Sequence, residues 1–305
     1  MEKLVAERLG VPVFATAMST VLAGPGSPPP FFGLRPARTM VGTTVHRAAR
    51  AMLAMTMRQG VAHYNHILAQ QGLAAIAPDG FPHAPMAAAR RLFLNGTPGL
   101  EYPGYRPPAN GEFVGPLLPA VGPESSATPL PEVVTDPGNQ VIVVSQGTVD
   151  NTDPSKLIVP TLRAFAGRAH VVVVTTAGAD TEDQRARFAG PRVVIEDHLP
   201  YAALFSHADV FVSNGGWGST MFALRNGVPV VAAGTREGKN DTNARIDYNG
   251  LGVDLRTERP TPSRIRRAVR DALDDRIAAN ISRLRAEFDL YDPIPLIAAA
   301  VEAIQ

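Results

Sequence analysis

Residues 140–289 predict an α/β domain built on a doubly wound parallel sheet, and residues 1–120 an incomplete, mostly helical portion. Three observations carry this. Six short runs are almost wholly apolar: VIVVS (141–145), HVVVVTT (170–176), RVVIE (192–196), DVFVS (209–213), VPVVAA (228–233) and GVDL (252–255). Helix-length amphipathic segments separate them, the pattern of a parallel sheet covered on both faces. Two of the strand ends run into glycine-bearing turns that enter helices, QGT at 146–148 and NGGWGS at 214–219.

The N-terminal portion supplies fewer elements. VPVFATA (11–17) reads as a strand. Lys3 and Arg8 precede the apolar run 11–24 as they would in a secretion leader, but Pro12, Thr16 and Ser19 interrupt it, and a buried strand explains it better. A proline-rich turn (24–36), a helix from about Thr44 to Gln71 and a second strand at RLFLN (91–95) follow. The turn formers of 107–139 read as connection, with 121–139 as the linker between domains. Residues 290–305 are expected to form a helix packing back on the N-terminal portion.

Helix ends are marked in the C-terminal part. Asp153-Pro154 reads as an N-cap followed by proline at the first helical position, with a kink or early stop at Pro160. Thr261-Pro262 repeats the signal ahead of the stripe Ile265, Val269, Leu273. Asn226-Gly227 ends the helix that begins near Trp217.

Composition excludes several function classes. The 305 residues carry 29 basic and 28 acidic side chains, a formal charge of +1, so no polyanionic partner such as nucleic acid is indicated. Cysteine is absent, which removes disulfides, zinc–thiolate sites and a cysteine nucleophile. No apolar run reaches the roughly 20 residues of a membrane span, and the expected compartment is the cytoplasm. His63 and His66, three apart on the expected helix, have no accompanying carboxylates and read as a helix face, not as metal ligands.

Open parallel sheets bind ligands beyond the carboxyl ends of their strands. Asn214, Gly215, Gly216, Gly218 and Ser219 occupy that rim after strand 209–213. A helix N-terminus there offers unpaired N–H groups and partial positive charge, and glycine lets an anion approach the backbone. A phosphate or diphosphate is the expected ligand, with Asn214 and Ser219 as added donors. Gln146, Gly147 and Thr148 would line the same crevice from the neighbouring strand. The loop AGTREGKND (233–241) carries Arg236, Glu237, Lys239 and Asp241, suited to sugar hydroxyls and phosphate.

SNGGWGSTMFALRNGVPVVAAGTREGKNDTNARIDYNGLGVDLRT resembles the donor-binding signature of nucleotide-sugar glycosyltransferases of the GT-B fold, in the UDP-glycosyltransferase and macrolide (erythromycin-type) superfamily. VIVVSQGTVDNTDPSKLIVPTLRAFAG, LPYAALFSHADVFVSNGG and LEYPGYRPPANGEFVGPLLPA are similar to supporting segments, and SPPPFFGLRPA (27–37) to an acceptor-side loop. The resemblance implies a Rossmann-like donor half of a GT-B fold. It places phosphates on 214–219, the nucleobase and ribose near His198 and Leu199, and the donor sugar at Glu237 and Lys239.

The chain also departs from the pattern. Asn214 stands where many members have histidine, and Phe222 where many have a ribose-binding glutamate. Gly238 replaces the aspartate of a Glu-Asp-Lys variant of the sugar loop. Met1 falls inside the family's N-terminal domain, beyond the loop whose histidine acts as general base. None of His46, His63, His66, His83, His170, His198 and His207 matches that position, so no catalytic residue is assigned.

The implied reaction is metal-free transfer of a hexosyl group from a UDP- or dTDP-sugar, a co-substrate and not a cofactor, to a hydroxyl of a small apolar acceptor. Without the base, donor binding with little transfer is expected, and self-association or a partner covering the incomplete N-terminal sheet. The alternatives are a non-catalytic auxiliary partner of a complete transferase and, from Asp197, Glu237 and Asp241, a sugar-nucleotide 2-epimerase.

Overall fold

The computed structural model describes residues 2–19, 27–77, 84–119 and 129–303. Residues 24–26 of the expected proline-rich turn, His83 and residues 121–128 of the expected linker lie outside these. The chain forms two compact units, Met1–Leu117 with Leu290–Gln305, and Leu118–Asp289.

In the first unit, α1 (Glu2–Leu9) precedes β1 (Phe14–Ala17), and α2 (Met40–Gln70) and the single turn α3 (Ala84–Ala87) lead to β2 (Arg91–Asn95) and β3 (Gly111–Gly115). The three strands pair in parallel in the order β1-β2-β3. Ala17, Leu92 and Leu94 form the sheet's buried cluster, against Met86 and Phe113. β3 corrects the sequence reading, which placed GEFVG within the connection. Only Phe113 and Val114 in that run are large and apolar, so its strand character comes from pairing with Leu92–Asn95 and not from its own pattern. α2 starts four residues earlier than expected because Thr39 caps it, its Oγ1 accepting from the Gly42 N–H at 3.1 Å.

The last helix of the chain, α12 (Pro293–Glu302), belongs to this unit and packs on β3. Gly115, at φ +87°, makes room for the side chain of Tyr291, which a Cβ at that position would strike.

The second unit holds β4 (Val141–Ser145), β5 (Val171–Thr175), β6 (Val193–Glu196), β7 (Val210–Ser213), β8 (Val230–Ala232) and β9 (Gly252–Asp254). They form one sheet in the order β6-β5-β4-β7-β8-β9, parallel throughout. All six lie where the sequence predicts them. The helices are α4 (Glu132–Thr135), α5 (Ile158–Phe165), α6 (Thr181–Phe188), α7 (Tyr201–Phe205), α8 (Trp217–Arg225), α9 (Lys239–Tyr248), α10 (Pro262–Ala272) and α11 (Asp275–Phe288).

Both side-chain parities of the central strands are buried, which is why these strands read as unbroken apolar runs. On one face Ile142, Val144, Val172, Val174, Val210 and Val212 meet Leu162 and Phe165 of α5 and Ile265, Val269 and Ala272 of α10. On the other, Phe211 packs edge-on against Phe205 of α7 at 5.0 Å.

The start of α5 is a second correction. Asp153 does not cap a helix; its Oδ1 accepts from the N–H of Ser155 in a local turn, and the helix begins at Ile158. Pro160 therefore sits in the first turn, where its missing N–H breaks no helical bond, and no kink results. Gln146 supplies the cap from the preceding loop: its Oε1 accepts from the N–H groups of Leu157 (3.2 Å) and Ile158 (3.1 Å).

Candidate active site: a cavity at the carboxyl rim of the sheet

Because every strand of the second unit runs the same way, the loops leaving β4, β5, β6, β7 and β8 gather on one rim. They enclose a cavity of about 480 Å³. Among the residues expected from sequence, Gln146, Gly147, Thr148, His198, Leu199, Asn214, Gly216, Gly218, Ser219, Glu237 and Lys239 line it. Arg236 and Asp241 do not, and neither does Gly215.

The glycine corner divides its roles. Gly215 has φ +91°, and its N–H is donated to the Ser213 Oγ at 3.2 Å. A Cβ at Gly215 would collide with the side chain of Asn243, so this glycine serves close packing and not ligand approach. Gly216 caps α8, and Trp217, Gly218 and Ser219 form its first turn. The first in-register helical bond is Thr220 N–H to Gly216 O, at 3.0 Å. The amides of Gly218 and Ser219 thus have no carbonyl one turn earlier in the helix, and both residues line the cavity. The partial positive end of α8 therefore opens onto this space.

Two expected donors are already engaged. The Asn214 side chain is buried and donates through Nδ2 to the Gln146 carbonyl, tying the loop after β7 to the loop after β4. The Ser219 hydroxyl donates to Gly216 O at 3.1 Å. Gln146, 1% exposed, spends its amide on the chain, with Nε2 donating to the Asp153 carbonyl at 3.0 Å in addition to the α5 cap. Gly234 completes the junction: a Cβ there would strike the Asn214 carbonyl, while Asn243 Nδ2 donates to Gly234 O at 3.0 Å.

Charge is concentrated on the side nearest β8. Lys239 Nζ lies 2.9 Å from Glu237 Oε2 and 3.3 Å from Asp150 Oδ2, and Lys156 Nζ lies 2.5 Å from Asp150 Oδ1. Burial alone would raise the Asp150 carboxyl, but the two ammonium groups outweigh it and hold the acid below the usual carboxylate value. Glu237 (φ +57°) and Gly238 (φ +77°) are both left-handed, the tight turn that brings Lys239 back to the rim.

On the far side, Tyr201 Oη is 2.9 Å from Thr175 Oγ1. The Tyr201 ring meets Phe222 edge-on at 6.2 Å and Phe205 at 5.1 Å. Phe222 is buried in this aromatic cluster and does not line the cavity.

Asp150, Trp217 and Tyr201 line the cavity, and the sequence reading gave none of these side chains a role there, although Trp217 lies within 214–219. Asp150 stands in the loop after β4, and only its meeting with Lys239, 89 residues later, reveals it. The cavity thus combines free helix amides, one ammonium, an aromatic wall and carboxylates, a set suited to an ester of diphosphate that carries hydroxyls. No group of three His, Asp or Glu side chains able to hold a metal exists among the described residues.

Residues 161–304 match the family described as Erythromycin biosynthesis protein CIII-like, C-terminal domain. The chain is also 34% identical over 294 residues to the 4'-demethylrebeccamycin synthase of Lentzea aerocolonigenes, an alignment covering 95% of this chain and 68% of that protein. The chain belongs to the UDP-glycosyltransferase superfamily. A second superfamily relative, UDP-glycosyltransferase 2 of Phaeomoniella chlamydospora, is 31% identical over 279 residues, 89% of this chain and 61% of its own length. The chain thus spans roughly two thirds of these superfamily proteins. Among solved structures, the glycotransferase of kitacinnamycin (TM-score 0.71, 22% identity, 99% of this chain and 72% of that one) shares the fold. So does the calicheamicin glycosyltransferase (TM-score 0.68, 21%, 99% and 71%). This is the GT-B fold of the superfamily, and no helix among the described residues is long and apolar enough to cross a membrane.

Proposed function

We propose that this chain binds a nucleoside diphosphate sugar in the rim cavity and serves hexosyl transfer to a hydroxyl of a small apolar acceptor. The observation that carries the reading is the first turn of α8: Gly218 and Ser219, whose amides have no helical acceptor, line the same cavity as Lys239. Glycosyl transfer leaves negative charge on the departing diphosphate. Fixed amide dipoles and an ammonium already in place stabilise that charge without reorganising. The reaction as proposed needs no metal, and the donor is consumed, so it is a co-substrate. Lys239 serves the sugar-proximal phosphate, Glu237 the sugar hydroxyls, and the wall near His198 and Leu199 the nucleoside. The proposed compartment is the cytoplasm.

Two ammonium groups hold the Asp150 carboxyl below its usual value, which makes it a poor proton acceptor at neutral pH, and Glu237 is engaged by Lys239. The base that takes the acceptor proton is therefore neither Asp150 nor Glu237, and general base catalysis contributes about 10²–10⁴-fold to such reactions.

Calorimetric titration with UDP and with dTDP tests the binding. Measurable heat and a saturable isotherm with at least one of them are expected. No heat, together with no thermal shift, contradicts the reading.

A further inference from the structure

Three carboxylates line the donor cavity, and their environments differ. Both oxygens of Asp150 are ion-paired, and Glu237 is ion-paired to Lys239. Asp197, in the loop after β6, has no cation within ion-pair distance among the described residues. Its Oδ1 accepts from the hydroxyls of Thr181 and of Thr176 (3.3 Å), while its Oδ2 has no hydrogen-bond partner among the described residues. Two threonines, both buried, thus hold one oxygen of an exposed, cavity-lining carboxylate and leave the other as an acceptor. The Thr181 hydroxyl above all, against the opposing effect of burial and with help from Thr176, Arg185 and His198, keeps its acid below the usual carboxylate value.

A carboxylate with no direct ion pair repels phosphate, so it belongs where a ligand presents hydrogen-bond donors. The sheet order says which donors. The glycine corner follows β7, Lys239 and Glu237 follow the adjacent β8, and Asp197 follows β6 on the opposite side, with β4 and β5 between. Three strand spacings separate β6 from β7, about 14 Å, a span that an extended nucleoside diphosphate covers. With the transferred sugar on the β8 side, the nucleoside runs toward β6. Its paired hydroxyl donors are the ribose 2′- and 3′-OH, and a carboxylate is the group that accepts from such a diol. Phe222, packed among Tyr201 and Phe205 and away from the cavity, has no polar atom to offer.

We propose that Asp197 reads the ribose diol and makes this site selective for ribonucleoside diphosphates over their 2′-deoxy counterparts. The inference rests on the donor reading above.

Titration with UDP and dUDP separates the two. The wild-type chain is expected to bind UDP roughly 10–100-fold more tightly than dUDP, the loss of one charge-assisted hydrogen bond. Asp197→Ala should weaken UDP more than dUDP, which keeps its 3′-OH, and bring the two affinities close together. Asp197→Asn, which keeps an acceptor for the two threonines, serves if the alanine variant loses its cooperative thermal transition. Equal wild-type affinities overturn the inference and leave the donor site intact. Discrimination that survives in both variants also overturns it. Absence of binding by either nucleotide removes the donor reading and the inference together.

Discussion

Gly215 and Gly218 stand three apart in one motif and do opposite things. Gly215 is left-handed and pressed against Asn243, whereas a Cβ at Gly218 meets nothing within 4 Å. Gly215→Ala should cost about 2–4 kcal/mol, from the left-handed backbone and the clash together. Gly218→Ala, in a helix, should be neutral or stabilise by up to about 1 kcal/mol. Urea unfolding of the two variants measures both, and equal effects would contradict the division of roles. At this scale the sequence was informative about residue type and silent about partners. Asn214 and Gln146 read as ligand donors because polar side chains stood at a strand end. Their hydrogens go instead to the Gln146 and Asp153 carbonyls, bonds set by neighbours in space.

The loops after β4 and β8 act as one unit through Lys156, Asp150, Lys239 and Glu237. Asp150 titrates below the usual carboxylate value in the folded chain, so the unfolded chain binds its proton first as the pH falls. Its stabilisation is complete above the unfolded value, declines as the pH drops through the usual carboxylate range, and is gone below the lowered folded value. Asp150→Asn should therefore lower stability at pH 7 by about 1–3 kcal/mol and flatten the acid limb of the stability–pH curve. A variant curve parallel to the wild type would show that the network contributes nothing. Most elements were legible: a run such as Val171–Val174 is apolar on both faces only if both are covered. The start of α5 was not. Asp153-Pro154 carries a valid capping signal, but Gln146 Oε1 satisfies the helix four residues later, and nothing local announces that. β3 was missed for a related reason, since GEFVG becomes a strand only beside Leu92–Asn95.

Across the whole molecule, parallel order converts sequence position into site geometry. Six strands in the order β6-β5-β4-β7-β8-β9 bring loops from residue 145 to residue 239 onto one rim, each held by buried side chains. That arrangement was readable in advance because strand ends, glycine turns and helix starts recur in phase. What the cavity does depends on the amides of the first turn of α8. Gly218→Asp addresses them directly: the position is exposed, has room for a side chain and lies at a helix N-terminus, where a carboxylate is tolerated or favoured. Titrated with UDP at fixed ionic strength, this variant should keep or slightly raise its melting temperature and lose at least about tenfold in affinity, the cost of like charge beside the diphosphate. Unchanged UDP affinity in the folded variant would contradict a diphosphate seated on those amides.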